Sequence, residues 1–395
     1  MNSALSGIRV IDFSRVLAGP FCTMNLADMG AEVIKIERPK YGDDSRNFGP
    51  FKNKESSYYG YVNRGKKSIT LDLKNPKAKE IIKDLVKQAD VVVENFKPGV
   101  MEKLGFGYEV LREVNPGLVY CSISGFGQYS PYSSRPAYDI VAQAMGGMMS
   151  ITGFPENPPT RVGSSLGDIS AGLYAAFGIV TALLHKQKTG EGQYVDVAMM
   201  DSVFTFLESN IVRHTVGGVL PERVGSRHPI SAPFDSFKAK DGLVIIAIAS
   251  DHHFSKLCDI MKQPELMQDE KFCTDPNRVL NEKELKTIIE MWLGQFTVDE
   301  AIKVMMEQGI PCSPILNIEQ VCKDPHIEAR EMLVEVEHPA AGAIKIPGNP
   351  VKLSVTPPMV KEPAPILGEH NEAILKQFLA YDDGQIAQFK EDNVI

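Results

Sequence analysis

The chain has 395 residues, 43% of them hydrophobic and 23% charged, which is typical of a globular protein and argues against disorder. Its net charge of −8 does not indicate a nucleic acid or an anionic membrane as partner, because both favour a basic face. Without an apolar run of about 18 residues, a signal-peptide pattern or paired cysteine spacing, we expect no membrane span, no disulfide or zinc site, and a cytoplasmic location.

The first third of the chain predicts strands that alternate with helices. An amphipathic stretch follows a predicted turn at Gly19–Pro20 and runs to Met29, and a helix is predicted over Lys77–Asp90. Predicted strands cover Ile8–Phe13, Ala31–Glu37, Lys67–Asp72, Val91–Val93 and Leu118–Ile123. This alternation favours an α/β fold with a parallel sheet.

Beyond residue 138 longer apolar segments appear. The pattern predicts helices over 138–150, Ser170–Lys186 and 199–216, and a strand over Gln193–Ala198. The segment 217–231 is rich in glycine, proline and charge, which indicates a domain boundary or an active-site loop.

Residues 231–320 have the pattern of a smaller α+β domain. A hairpin is predicted from Pro233–Phe237 and Leu243–Ala249, followed by helices at about 251–262, 281–293 and 297–307. The last part predicts short strands at Leu333–Val336 and Ile344–Ile346, a proline-rich stretch at 349–365 and a helix from about residue 369.

Asp168 stands out chemically because it is a single acid among small residues, in the segment GSSLGDISAG, just before an apolar helix. Small neighbours allow a substrate to approach the backbone closely. An ionised carboxylate at a helix N-terminus can act as a nucleophile, and it can equally be a helix N-cap. The residues alone leave both interpretations open.

A second group of candidates is basic and follows the predicted strands. Cations at the carboxyl ends of parallel strands suit the phosphates of a nucleotide-like ligand, although they can also be ordinary surface charges. The members are Arg38, Lys66, Lys67, Lys74, Lys97 and Lys103.

Several common signatures are absent from the sequence. It contains no GxGxxG, GxxxxGK[ST], GxSxG or HExxH pattern. The one close histidine pair, His252–His253, cannot converge on one ion from adjacent helical positions. We therefore expect no metal site.

Taken together, the ordered motifs of this chain resemble the class III CoA-transferases, which include formyl-CoA:oxalate and carnitine CoA-transferases, and their racemase relatives. The matching stretches span residues 6–203 and extend to about 316. They are LSGIRVIDFSRVLAGPFCTMNLADMGAEVIKIE, NRGKKSITLDLK, ADVVVENFKPGVMEKLGF, PAYDIVAQAMGG, GDISAG, TGEGQYVDVAMMDSV, GSRHPISAPFDSF and QGIPCSPI.

The resemblance implies a role for particular residues. It makes Asp168 the nucleophile of the G-D-x-x-[AS]-G segment. Lys103 lies where relatives place a phosphate-binding arginine, so the charge is kept but the fork geometry is not. The implied contacts to CoA or its thioester are Leu17, Ala18, Arg38, Leu71, Asp72, Leu73, Lys74, Asn95, Phe96, Lys97, Lys103, Ala137, Tyr138 and Asp139.

The resemblance also implies an architecture. A large Rossmann-like domain would comprise residues 1–216 and a C-terminal segment, 321–395, that returns to it. A small α+β domain would comprise residues 217–320. Two ring-shaped subunits would interlock as a homodimer, with acyl-CoA and a small carboxylic acid as substrates and no tightly bound cofactor.

The implied reaction moves CoA from an acyl-CoA to a carboxylic acid through a mixed anhydride and an aspartyl-CoA thioester. Backbone N–H groups near Ala18 and in the Gly225 loop are candidate donors to the anionic intermediates. Arg227 and His228, in the sequence GSRHP, are candidates for recognition of the acid, and a purely structural loop is the alternative. The chain departs from formyl-CoA:oxalate enzymes at Leu17 and Phe48, where those carry glutamine and tryptophan, which weakens an oxalate assignment.

Two other functions remain open from the sequence. An α-methylacyl-CoA racemase needs an acid and a base on opposite faces of a carbon, and Tyr138 stands where the racemases carry histidine. Tyrosine is a poor base at neutral pH, so this alternative is disfavoured. A non-catalytic acyl-CoA binding protein is the other alternative, and the retained Asp168 argues against it.

Overall fold

The computed structural model describes residues 3–360 and 362–395 and contains two compact units. The first unit comprises 1–148, 161–212 and 325–395, and the second comprises 149–160 and 213–324. The chain therefore leaves the first unit twice. The sequence-based division differs in placing 149–160 in the first domain.

Strands and helices alternate along much of the chain. The strands are β1 (Arg9–Asp12), β2 (Glu32–Glu37), β3 (Phe51–Lys52), β4 (Glu55–Ser56), β5 (Lys66–Thr70), β6 (Val91–Glu94), β7 (Val119–Ser124), β8 (Tyr194–Ala198), β9 (Phe234–Lys238), β10 (Leu243–Ala247), β11 (Cys312–Pro314), β12 (Leu333–His338) and β13 (Gly342–Pro347). The helices are α1 (Ala18–Asp28), α2 (Ser57–Val62), α3 (Pro76–Lys87), α4 (Val100–Leu104), α5 (Tyr108–Val114), α6 (Asp139–Met145), α7 (Met148–Ile151), α8 (Leu166–Thr189), α9 (Met199–Thr205), α10 (Ser209–Thr215), α11 (Asp251–Met261), α12 (Asp275–Leu280), α13 (Glu282–Leu293), α14 (Val298–Glu307), α15 (Ile318–Cys322), α16 (Pro325–Ala329), α17 (Asn371–Leu379) and α18 (Asp383–Glu391).

The first unit is built on a six-stranded sheet in the order β5-β2-β1-β6-β7-β8, in which every pairing is parallel. The predicted α/β class with a parallel sheet is confirmed. The strand order reverses direction between β1 and β6, and ligands of open α/β sheets bind beyond the carboxyl ends of strands at such a point. The loops after β1 and β6 are therefore the first place to look for a site.

The predicted turn at Gly19–Pro20 is wrong, because both residues lie in the first turn of α1. Proline is tolerated there since the first helical N–H groups have no intrahelical acceptor. Glycine is required because a Cβ at residue 19 would lie 2.2 Å from the Ser14 Cβ. These two residues thus start the helix directly after the loop that follows β1.

Helix α8 packs closely against α1 at Gly172. A Cβ at Gly172 would lie 2.7 Å from the backbone oxygen of Ala18 and 3.3 Å from the Cys22 nitrogen. The helix starts at Leu166, four residues earlier than predicted, which brings Asp168 into its first turn. The small residues of the GDISAG segment therefore set the distance between the two helices.

By length and composition alone, α8 could cross a membrane, a test that core helices of soluble proteins also pass. Its buried residues pack within the first unit, whereas Leu173, Phe177, Val180 and Leu184 form an exposed apolar stripe at helical spacing. The absence of a membrane partner stays a prediction.

The C-terminal segment is joined to the first unit by buried polar contacts. Arg64 forms a bidentate ion pair with Asp28, through Nε–Oδ1 at 3.0 Å and a second nitrogen to Oδ2 at 2.7 Å. The Asn349 amide donates to Asp28 Oδ2 at 2.9 Å, and Arg64 also donates to the Pro347 carbonyl at 2.9 Å. Arg64, Asp28 and Asn349 are all buried.

The same segment covers the edge strand β5. The Thr70 N–H donates to the Asn371 side chain at 2.8 Å, and the His370 N–H donates to the Ser68 carbonyl at 3.0 Å. Backbone N–H and C=O groups that an edge strand would expose are thereby hydrogen-bonded.

The second unit contains the antiparallel sheet β11-β10-β9 with helices packed on it. The predicted hairpin is confirmed as β9 paired with β10, in the register Leu243 with Lys238. Its core includes Val244, Ile246 and Trp292, from β10 and α13. This part is α+β in character.

Candidate active site

Asp168 occupies the third position of α8, where its side chain is partly buried. Ser165, not Asp168, is the residue at the N-cap, so the N-cap interpretation of Asp168 is wrong. Within residues 3–360 and 362–395, the Asp168 carboxylate accepts no hydrogen bond and forms no ion pair. Its two oxygens are therefore available to a ligand.

The capping role belongs instead to Asp139, at the start of α6. Its Oδ1 accepts the Gly167 N–H at 2.7 Å, and its Oδ2 accepts from the Gln143 amide at 2.8 Å. Glycine at residue 167 favours this contact, because a Cβ there would lie only 3.2 Å from Asp139 Oδ1 and would crowd it. Asp139 is thus buried and committed to α8, rather than lining the cavity as the resemblance implied.

Burial raises the pKa of Asp168 from its usual value near 3.8 to about 7, and the negative charge of Asp139 adds to the increase. Proton loss from Asp168 takes place near neutral pH. A carboxylate with few stabilising donors retains high reactivity.

Asp168 opens on a cavity of about 380 Å³. The cavity also contains the cations Arg15, Lys97 and Arg135. Of the sequence-predicted contacts it brings together Leu17, Ala18, Asn95, Phe96, Lys97, Ala137 and Tyr138. The loops after β1 and β6 contribute most of them, as expected at the reversal of the strand order.

A second cavity of about 320 Å³ adjoins the first. Arg15, Phe96 and Lys97 line both. The predicted contacts Arg38 and Leu73 line the second cavity. An elongated ligand could occupy the two cavities along a shared wall.

Other predicted contacts have different environments. Leu71 is fully buried in the core, so only its backbone could touch a ligand. Asp72 accepts the Lys74 N–H at 3.1 Å, and Lys74 and Lys103 are exposed outside both cavities. Phe48 packs edge-on against Tyr58, with ring centroids 5.8 Å apart.

Two lysines of the predicted basic group are taken up by internal ion pairs. Lys66 is buried and pairs with Asp12 at 3.0 Å, and Lys67 pairs with Glu32 at 2.6 Å. They are not available to a phosphate.

Arg227 and His228 lie in the second unit, so nothing is implied about their distance from Asp168. Arg227 lies 3.8 Å from Glu282, and the His228 ring packs on Phe234 with centroids 5.0 Å apart. The Gly225 N–H donates to the Gly153 carbonyl at 3.0 Å, so this N–H is not a free oxyanion donor. Acid recognition by Arg227 and His228 stays a prediction.

Sequence reasoning missed Tyr58 and Arg15. Burial and the nearby Asp168 charge raise the pKa of Tyr58 to about 12, which places its hydroxyl in the electrostatic surroundings of the nucleophile candidate. Arg15 forms an ion pair with Asp44 at 2.9 Å, and Asp44 forms a second ion pair with Arg38 at 2.7 Å. A hydroxyl in SSYYGY and a cation directly after β1 were the available signals.

The family model for CoA-transferase family III matches residues 5–371. The chain belongs to CoA-transferase family III. It is 43% identical to acetyl-CoA:oxalate CoA-transferase of Acetobacter aceti (95% of each chain) and 40% identical to human succinyl-CoA:glutarate CoA-transferase (99% of this chain, 90% of that one). A crystal structure of a CAIB/BAIF family protein from Brucella suis is similar, with a TM-score of 0.85 and 36% identity over 96% of this chain and 100% of that one.

Membership of the family and the named relatives confirm the predicted class of enzyme. The protein is an acyl-CoA:carboxylate CoA-transferase, which moves CoA from an acyl-CoA donor to a carboxylic acid acceptor. Acyl-CoA and a carboxylate are accordingly its two substrates.

Proposed function

We propose that Asp168 is the covalent nucleophile of this CoA-transferase. The observation that carries the proposal is a carboxylate without internal partners, at the start of α8, in the cavity shared with Ala18 and with cations of both strand-end loops. Such a group can attack a thioester carbonyl without first breaking a hydrogen bond.

The reaction proceeds through four exchanges at one carboxyl group. An Asp168 oxygen attacks the acyl-CoA carbonyl, forming a mixed anhydride and releasing CoA thiolate. The thiolate attacks the Asp168 carbonyl, forming an aspartyl-CoA thioester and releasing the donor acid. The acceptor carboxylate attacks this thioester, giving a new anhydride and thiolate, and the thiolate then takes the acceptor acyl group and restores Asp168. No step needs a proton or a redox partner.

Each attack creates an oxyanion that needs a donor. Ala18 is the first residue of α1, and no acceptor for its N–H lies within the described residues. A helix N-terminus carries partial positive charge, so this N–H is suited to an oxyanion next to Asp168. We propose it as the main backbone donor of the first unit.

The CoA moiety is proposed to extend through the two adjoining cavities. Arg38 and Lys97 supply positive charge for phosphate groups, and Phe96 supplies an apolar surface between them. The thioester end then reaches Asp168, with Tyr138 exposed at the rim.

Covalent trapping tests the nucleophile directly. With succinyl-CoA or acetyl-CoA and hydroxylamine, we expect mass spectrometry of the digested protein to find a hydroxamate at Asp168. An Asp201→Asn variant, altered at an exposed acid of α9, serves as the matched control and should be trapped equally. Acyl-CoA that binds but never modifies Asp168 would contradict the proposal and favour racemase or binding-only function.

The pKa near 7 predicts a pH dependence for the acyl-CoA reaction. Only ionised Asp168 attacks, so kcat/KM for the acyl-CoA should fall about tenfold per pH unit below pH 7. Asp139→Asn removes the neighbouring charge and should move the midpoint to lower pH. A kcat/KM that stays constant between pH 5 and pH 8 would argue against Asp168 as the titrating nucleophile.

The acceptor is proposed to be a short dicarboxylic acid. The relatives include enzymes named for oxalate, glutarate and mesaconate. Leu17 provides an apolar wall in the Asp168 cavity. This wall suits a diacid with a carbon chain between its carboxylates better than it suits oxalate, which has no such chain. Competition among a series of diacids for one donor would measure this preference.

We also propose a cytoplasmic homodimer with interlocked subunits and a Rossmann-like first unit. Support for the dimer comes from the family resemblance and from the apolar stripe on α8, since an exposed stripe of this kind is typical of an interface. Sedimentation at several concentrations measures the oligomeric state.

A further inference from the structure

The loop between β1 and α1 contains an unfavourable backbone conformation. Val16 has φ of +67°, in the left-handed region. Among the described non-glycine residues with positive φ, Val16 is the only β-branched one. Such a conformation is unfavourable for a β-branched residue and persists only where its surroundings impose it.

Three side chains impose that conformation on residues 14–16, of which Lys35 and Asp43 are buried and Asn95 is partly exposed. The Lys35 ammonium donates to the Ser14 carbonyl at 2.7 Å. The Asn95 amide accepts the Arg15 N–H and donates to the Arg15 carbonyl, both at 2.8 Å.

The third contact fixes Val16 itself. The Val16 N–H donates to Asp43 Oδ1 at 3.1 Å and Oδ2 at 3.3 Å. Asp43 in turn pairs with Lys35 at 2.9 Å, and both side chains are buried. We call the contacts from Lys35, Asn95 and Asp43 together the loop clamp.

The Lys35–Asp43 pair of the loop clamp is charged near neutral pH. Burial favours the neutral acid, but Lys35 and the hydrogen bonds of Ser45 lower the pKa of Asp43 to about 2. Burial likewise opposes the charge of Lys35, yet Asp43, Asp12 and Glu37 raise its pKa. The loop clamp is therefore a permanent feature and not a pH switch.

We infer that Asp43 and Lys35 are positioning residues, which hold the Val16 peptide in its left-handed conformation and so direct the Ala18 N–H towards the Asp168 cavity. The inference rests on the proposed role of Ala18. The loop clamp uses the backbone N–H groups of residues 15 and 16, whereas the N–H groups of Leu17, Ala18 and Gly19 at the start of α1 have no acceptor among the described residues. Lys35 and Asp43 also line the second cavity, but their side chains are buried and are used within the loop clamp, so in this scheme neither side chain contacts substrate.

Removal of the loop clamp should lower turnover more than binding. In the double variant Lys35→Met/Asp43→Leu both buried charges and the acceptor of the Val16 N–H are removed, so neither charge remains unpaired. We expect kcat to fall about 10- to 100-fold, while KM for acyl-CoA stays within about threefold, because the oxyanion donor is displaced and the CoA cavity is retained.

Glycine at residue 16 supplies the decisive measurement. Because glycine adopts positive φ without strain, adding Val16→Gly to the double variant should restore kcat at least about fivefold. Adding Lys40→Gly should not, although Lys40 also has positive φ (+65°), because it is exposed and outside the loop clamp.

Several outcomes would overturn the inference: an unchanged kcat in the folded double variant, a KM that rises as much as kcat falls, or equal rescue by Lys40→Gly. If the double variant does not fold, Asp43→Asn alone keeps the side-chain shape and should show a smaller loss that Val16→Gly again restores. Absence of transfer by the wild-type enzyme would contradict the proposed function instead.

Discussion

Asp168→Asn is expected to lower CoA transfer by at least about a thousandfold. The amide has nearly the same shape as the carboxylate but is a very weak nucleophile, so neither the anhydride nor the aspartyl-CoA thioester can form. The measurement is the initial rate of acceptor-dependent acyl-CoA formation, with Asp201→Asn as the control that should retain full activity.

The same variant should still fold and bind CoA. Asp168 accepts no hydrogen bond within the described residues, so the amide leaves no partner unsatisfied there. Because its pKa is raised in the folded state, Asp168 stabilises the fold below about pH 4, and this contribution is lost as pH rises through about 7. Asp168→Asn should therefore be more stable than the wild type above pH 7. Substantial residual transfer by a variant with these properties would rule out covalent catalysis at Asp168.

Asp28→Ala is expected to lower the free energy of unfolding by about 3–5 kcal/mol. The change leaves the Arg64 guanidinium buried without its bidentate partner and removes the acceptor of Asn349. Breaking one side of a buried pair is far more damaging than its net contribution would indicate, because the remaining charge stays desolvated. Urea unfolding measures the effect.

An exposed ion pair provides the matched control for that experiment. Glu319 lies in the first turn of α15 and Lys323 is its C-cap residue, with an N–O distance of 2.6 Å, and both side chains are largely exposed. Glu319→Ala should change the free energy of unfolding by less than about 0.5 kcal/mol. If the two variants were equally stable, the Asp28 cluster would not be the contact that joins the C-terminal segment to the sheet.

The sequence predicted the elements whose patterns are local. Buried strands such as Val91–Val93 and the periodic helix near residues 77–87 follow from their apolar spacing alone. The start of α1 did not follow from local spacing, because a Gly-Pro pair is common both in a turn and in the first turn of a helix. Packing against Ser14, which no local pattern encodes, decides between them.

Residues of the candidate site could be predicted only where the local sequence is enough to indicate their role. Asp168 could be singled out from its small neighbours, but its pKa depends on Asp139, which lies far from it along the chain. Asp139, and not Asp168, caps α8, and this cap is a contact between residues that lie far apart in the sequence. Likewise Lys66 was indistinguishable from a phosphate ligand until its pairing with Asp12 was known.

The C-terminal cover of β5 also constrains how the protein is made. Thr70 and its partner Asn371 are 301 positions apart, so the ribosome must synthesise almost the whole chain before this contact can form. At about 5–20 residues per second, β5 waits roughly 15–60 s with its backbone groups exposed to other nascent chains. During that interval the β5 edge of the sheet is uncovered, and a chaperone that shields strand edges would have its greatest effect on yield then.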